Sequence, residues 1–283
     1  MDKAAVEAAL NAAGLTRLVK DIDRLTRPSI RLRTTPVDEA TLPVGASKLG
    51  GLPDLQPGMT WPAWQGLPQS FIAQIHLADI RPYDTQQALP QSGLLWFFYD
   101  AQQQTYGENP TDRGGWSVLF AADDSSKLQR TPAPAALPRD SQFHACSISF
   151  ANELTITQQP QLEIPGLAWS DKDQEQYDKM LATLSPQSDR AVPQHRLLGF
   201  PDTIQDDMRL QCQLISHGVT DANDPQYNAL AQDARNWQLL LQVDSDEQAG
   251  MHWANTGMLY YWITSADLQA HAFEHSWLVL QSE

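Results

Sequence analysis

The chain has 283 residues, 42% of them apolar, with 19 prolines, 15 glycines and nine tryptophans; this is the make-up of a packed globule and excludes a disordered or fibrous chain. Its 34 acidic and 19 basic residues leave a formal charge of −15, a field that repels phosphate backbones and excludes an electrostatic nucleic-acid binder. With Cys146 and Cys212 its only cysteines, a disulfide framework is excluded, and no apolar run approaches the ~18 residues that a membrane span requires.

In chain order, Val6, Leu10, Leu18, Ile22 and Leu25 recur at helical spacing and predict an amphipathic helix over residues 2–26, ended by Pro28. Its interleaved charges lack the apolar stretch of a signal peptide, and with the cysteine usage this points to the cytoplasm. "SIRLRT" (29–34) alternates as a half-buried strand does. The Gly- and Pro-dense "VGASKLGGLPDLQPGMTWP" (44–62) predicts a structured loop. Strands follow at 71–75, 93–100 and 116–121, and the proline-rich 130–140 reads as a connector. Two short strands at 143–150 and 153–156 precede an acidic helix at 170–184, capped by Ser170 or Asp171. Helices at 206–216 and 225–234 lead to strands at 237–243, 257–263 and 277–281. Ser265 is the expected cap of a short helix between the last two strands.

Four pieces recur in order. "GLPD" (51–54) matches "GFPD" (199–202), "FIAQI" (71–75) matches "LLLQV" (239–243), "SGLLWFFYD" (92–100) matches "TGMLYYWIT" (256–264), and "WSVLF" (116–120) matches "WLVLQ" (277–281). The spacing is too long for a solenoid and points to a duplication whose halves pack about a pseudo-two-fold axis. Both aromatic strands are apolar on both faces, so each must be covered on both sides. Gln74 and Gln242, buried in such strands, need partners for their amides, and the G-[LF]-P-D turns are the nearest candidates.

"SKLGGLPDLQPGMTWP", "FIAQIHLADI", "GLLWFFYD", "HRLLGFPDTIQ", "WQLLLQVDSDE" and "MHWANTGMLYYWI" together resemble the YwqG-like family of bacterial proteins from about residue 44 to 283. The resemblance implies a mixed α+β fold with internal duplication. It supplies no reaction. Some relatives lie near toxin–immunity gene clusters, which implies a partner-binding role. Where the family pattern often carries an aspartate before the aromatic strand, Asn255 stands here, which weakens any metal or acid–base role for that position.

The expected fold is therefore α+β, with internally duplicated mixed/antiparallel β-sheet halves related by a pseudo-two-fold and peripheral helices. Its units are an N-terminal helix and strand (1–35), a first β-rich repeat (36–130), a connecting segment (131–190) and a second repeat (191–283), all in one globule. The charge and the want of a catalytic constellation point to a non-enzymatic scaffold that engages a protein partner, basic in character; a relation to toxin immunity is what the resemblance implies. The alternative is an enzyme or a small-molecule or metal binder with its pocket between the repeats. Candidate ligand-binding residues are Asp54, Gln74, Asp202, Gln242, Asp244 and Asp246; the first four would converge in such a pocket, and the last two belong to the "DSDE" turn. No catalytic residue, metal ligand or cofactor is assigned. His271 and His275 enter a strand rather than share a helical face, and the turn departs from a calcium loop in glycine and glutamate position.

Overall fold

A computed structural model describes residues 1–122, 127–184 and 192–283. The parts of the expected units that fall on 123–126 and 185–191 lie outside the described residues. Asp2 caps α1 (Lys3–Ala12) by accepting from the Ala5 N–H at 2.9 Å. The long N-terminal helix expected from spacing does not form. Gly14 takes φ +74° just past the helix end, and a 3₁₀ turn and the short α2 (Ile22–Leu25) complete the segment. Its apolar positions are still buried: Val6, Leu10, Leu18 and Leu25 form a small cluster with Tyr177 and Met180.

Strand β1 (Thr26–Pro36) begins before Pro28, so that proline lies inside a strand instead of ending a helix. On one side it pairs along its whole length with residues 146–156; on the other, Ile30 and Arg31 pair with Leu197 and Arg196, and Pro28 lies beyond that short ladder. Within the predicted 44–62 loop lie two residue pairs in strand geometry, β2 (Lys48–Leu49) and β3 (Asp54–Leu55). A small hairpin, β4 (Ala63–Trp64) with β5 (Leu67–Pro68), precedes β6 (Ser70–His76), α3 (Leu77–Ile80), β7 (Leu94–Tyr99), β8 (Trp116–Ala121) and β9 (Gln129–Arg130).

The two short strands expected at 143–156 are one, β10 (Cys146–Ile156), held straight across Ala151 and Asn152 by its continuous register with β1. After α4 (Pro160–Glu163) comes α5 (Asp171–Leu184). Ser170 is its cap: Ser170 Oγ accepts from the Asp173 N–H (3.3 Å), and Asp173 Oδ2 accepts from the Ser170 N–H (3.0 Å). Then follow β11 (Arg196–Leu197), α6 (Arg209–Ser216), α7 (Tyr227–Ala231), β12 (Trp237–Asp244), β13 (Met258–Thr264), α8 (Ser265–Ala270) and β14 (Trp277–Gln281). Thr264, not Ser265, caps α8, accepting from the Asp267 N–H at 3.1 Å.

These strands build a mixed α+β architecture around one ten-stranded antiparallel sheet, in the order β14-β13-β12-β11-β1-β10-β2-β6-β7-β8. The sheet curls until it nearly closes. Phe97 of β7 meets Tyr261 of β13 edge-to-face at 5.1 Å, and Tyr261 Oη donates to the Phe98 carbonyl at 3.1 Å. At the rim, Trp116 and Trp277 meet at 4.8 Å. Trp116 Nε1 donates to the Ser276 carbonyl (2.9 Å) and Trp277 Nε1 to the Gly107 carbonyl (3.1 Å). Alternation along β7 explains its apolar run: Leu95, Phe97 and Tyr99 enter the central core, while Leu94, Trp96 and Phe98 join Leu55 and Phe71 on the other face. Each such side chain contributes about 1.5–3 kcal/mol by leaving water.

Candidate functional site

The candidate residues fall into three groups. Asp54 and Gln74 are joined: Gln74 Oε1 accepts from the Asp54 N–H (2.8 Å), and its Nε2 donates to Asp54 Oδ2 (3.0 Å) and to the Ala46 carbonyl (2.9 Å). Trp96 Nε1 donates to the same Gln74 oxygen at 2.8 Å and to the Asp54 carbonyl at 3.1 Å. The Lys48 ammonium, fully buried, sits 3.1 Å from Asp54 Oδ2, and Arg130 Nε is 3.0 Å from Asp54 Oδ1. Glu39 adds a second carboxylate 3.3 Å from Lys48. Burial raises the Asp54 carboxyl, but the Gly45 N–H, Lys48, Gln74 and Arg130 together outweigh it and hold the group below its usual range. Burial leaves Lys48 below its ordinary value despite Asp54.

Asp202 and Gln242 form the second group. Gln242 Oε1 accepts from the Asp202 N–H (2.9 Å), its Nε2 donates to Asp202 Oδ2 (3.2 Å) and to the Gln194 carbonyl (2.6 Å), and Tyr260 Oη donates to the Asp202 carbonyl (2.6 Å). Arg196 stands 2.7 Å from Asp202 Oδ2 and 3.1 Å from Glu153 Oε2, with Arg31 3.6 Å from Glu153 Oε1. Burial raises the Asp202 carboxyl; Arg196 and Gln242 more than offset that and keep it low. The two glutamines thus bind the turns that their burial demanded. The two aspartates do not meet: β11, β1, β10 and β2 separate β12 from β6 in the sheet.

Asp244 and Asp246 form the third group. Asp246 Oδ2 accepts from Thr34 Oγ1 (2.8 Å) and faces His195 Nε2 (3.2 Å), and its Oδ1 accepts from the Gln248 N–H (2.8 Å). Burial works against ionisation, but His195 and Thr34 lower the Asp246 carboxyl to about 2. Asp244 Oδ2 accepts from the Gln194 N–H at 2.8 Å, and burial pushes this carboxyl up. Among the described residues, no group of three or more His, Cys, Asp or Glu is arranged to hold a metal.

Chemically, the first two groups are ion-pair networks whose aspartates are held low and stay engaged, an arrangement suited to fixing backbone turns. Cys146 and Cys212 are buried, and burial pushes the Cys146 thiol up to about 11, away from nucleophilic thiolate character. Spacing alone left Lys48 and Arg196 unnoticed. The signal was present: in "KLGGLPD" and "RLLGFPD" a cation stands six residues before the aspartate.

Because Asp246 is held near 2 and an unfolded aspartate titrates near 3.9, the ionised form stabilises the fold by about 2–3 kcal/mol at neutral pH. The pKa is depressed, so that contribution is complete above pH ~4 and disappears as pH falls toward ~2. Asp246→Asn is expected to flatten the acid limb of stability against pH, measured by urea unfolding. An unchanged limb refutes the assignment.

The curled sheet and its two buried networks define a mixed α+β protein in which the conspicuous polar residues brace turns. The chain belongs to the family described as Domain of unknown function (DUF1963), whose model matches residues 47–282. No curated protein matches it. No helix among the described residues is long and apolar enough to cross a membrane.

Proposed function

We propose that this chain is an internally duplicated, non-enzymatic scaffold that engages a basic protein partner through its acidic exterior. The observation that carries the proposal is the packed seam. Phe97 on Tyr261 and Trp116 on Trp277 fill the space where the alternative reading needs a pocket between repeats. The YwqG-like resemblance and its link to toxin immunity agree with a partner-binding role. A charge of −15 supplies the attraction.

On this proposal β1, β2, β6, β7 and β8 are one copy, and β10 to β14 the other, which extends the expected repeats upstream. Four correspondences support it. Lys48 pairs with Gln74 across β2–β6, as Arg196 pairs with Gln242 across β11–β12. The register breaks at Phe71/Ala73 and at Leu239/Leu241 fall at the same place before each glutamine. Gly50 and Leu198 share left-handed φ values of +64° and +60°. Trp96 and Tyr260 each donate to the carbonyl of their copy's aspartate. The first strand of each copy then pairs with the second strand of the other, the exchange expected of a fused dimer.

Equivalent positions have equivalent costs on this proposal. Gln74→Leu and Gln242→Leu each leave a backbone N–H and carbonyl without their partner and should each destabilise by about 2–4 kcal/mol. Denaturant unfolding measures this; a cost below ~1 kcal/mol at only one of the two speaks against the equivalence. For partner engagement, the immobilised chain should retain a basic protein stoichiometrically at ~150 mM salt and release it as salt rises. Retention that ignores salt, or none at that ionic strength, sinks the scaffold reading.

A further inference from the structure

Beside the second network, a cleft opens between the start of β1, the segment following β10 and the connection from Gly199 to Arg209. Arg27, Phe200, Thr203, Asp207, Arg209 and Trp262 line it around a cavity of about 20 Å³. Trp262 is 2% exposed, and its indole N–H has no acceptor among the described residues. A buried donor left so is costly, and an acceptor brought to it is rewarded. Arg209, itself 7% exposed, reaches Asp207 Oδ2 (2.8 Å) and Glu163 Oε1 (2.7 Å). Arg27 shares that glutamate, with Nη2 3.1 Å from Glu163 Oε2, and lies over the Phe200 ring at 4.2 Å. Burial holds Arg27 below its ordinary value; Glu163 pulls it up and the charge of Arg209 pushes it down again. Two guanidiniums meet two carboxylates in this corner, so its formal charge balances.

The opposite end of the sheet supplies a contrast. Phe98 stands in β7 opposite Phe71, as Trp262 stands in β13 opposite Leu239. Phe98 is covered by the chain's own Trp61, edge-on at 5.6 Å. Trp262 instead faces the cleft, and it adds a donor that phenylalanine lacks.

We propose that this cleft binds a carboxylate: one oxygen accepts from Trp262 Nε1–H, and the Arg27 guanidinium meets the other. The cavity admits one or two water-sized groups, which fits a carboxylate head and leaves the rest of its bearer at the open mouth. Planar bidentate acceptors are what a guanidinium selects. The site is independent of the scaffold reading, and either stands if the other fails.

The test is a titration of the full chain, reading the tryptophan indole N–H signals by ¹H–¹⁵N NMR with the Trp262 signal assigned through Trp262→Phe. Acetate is the probe, with acetamide and inorganic phosphate as comparisons at constant ionic strength. Acetate should move the Trp262 signal saturably and acetamide should not. Arg27→Gln should weaken acetate at least about tenfold while the other indole signals report a folded chain. Triglycine and its C-terminal amide form a second arm: triglycine binding more tightly than acetate assigns the carboxylate to a peptide end, and the reverse assigns it to a small acid. No saturable movement up to ~100 mM acetate, or phosphate binding as tightly as acetate, overturns the proposal.

Discussion

Asp54→Ala is expected to destabilise the fold by about 3–5 kcal/mol, because it strands the buried Lys48 ammonium without its nearest counter-charge. Lys48 is completely enclosed, and Asp54 supplies its closest oxygen at 3.1 Å. The same carboxylate accepts from the Gly45 N–H (2.9 Å) and from Gln74 Nε2 (3.0 Å), and it holds Arg130 Nε at 3.0 Å. Glu39, 3.3 Å from Lys48, replaces only part of that charge. The pH dependence has a definite sign. Burial raises the Asp54 carboxyl, but its partners hold it below the usual range, so its contribution is present above pH ~4 and is lost as pH falls through the lower folded value. The mutant deficit should therefore be largest near neutrality and shrink in acid. Urea midpoints at pH 7 and below pH 4 measure this. A deficit under ~1 kcal/mol at pH 7 shows that the network bears little weight.

Gly107→Ala is expected to cost about 3 kcal/mol or more and to loosen β14 ahead of the rest of the sheet. Gly107 has φ +74°, and a methyl group there would stand 1.9 Å from the Leu278 carbonyl oxygen. The backbone must move away. That movement breaks the bond from the Leu280 N–H to the Tyr106 carbonyl (3.2 Å) and the one from Trp277 Nε1 to the Gly107 carbonyl (3.1 Å). Gln211 Nε2, which also donates to the Gly107 carbonyl at 3.2 Å, loses its acceptor. These contacts cover the outer edge of β14, and an uncovered edge strand invites pairing with another chain. Hydrogen exchange at Leu280 should quicken well before core amides such as Leu241, with self-association at high concentration. Uniform exchange across the sheet refutes local edge opening.

Several elements were legible from residue pattern. The aromatic runs in β7 and β13 announced strands covered on both faces, and Gln74 and Gln242 within such strands required partners, which the adjoining aspartate turns provide. Ser170 and its acidic neighbours announced α5. Other elements were hidden. Gly14 breaks the N-terminal periodicity through its backbone angle, which apolar spacing does not register. Ala151 and Asn152 look like a break between strands, yet they stay extended because Arg31 and Ile30 pair with them. The carboxylates expected to converge are divided between two networks, and the Trp262 cleft was not anticipated, since its lining comes from four distant stretches of chain.

By itself, the amino-acid order determined the long apolar strands, the side chains they bury, and that buried amides must find partners nearby. Those are local matters, set by side-chain period, turn chemistry and the cost of desolvating a polar group. The tertiary structure alone decided that the sheet curls until Trp116 meets Trp277, that Lys48 is enclosed with Asp54 while the buried Arg196 meets a half-exposed Asp202, and that Arg27 and Arg209 share Glu163 beside Trp262. Such juxtapositions depend on strand order and curvature, which follow from the summed packing of the whole chain, and no short stretch of residues encodes them.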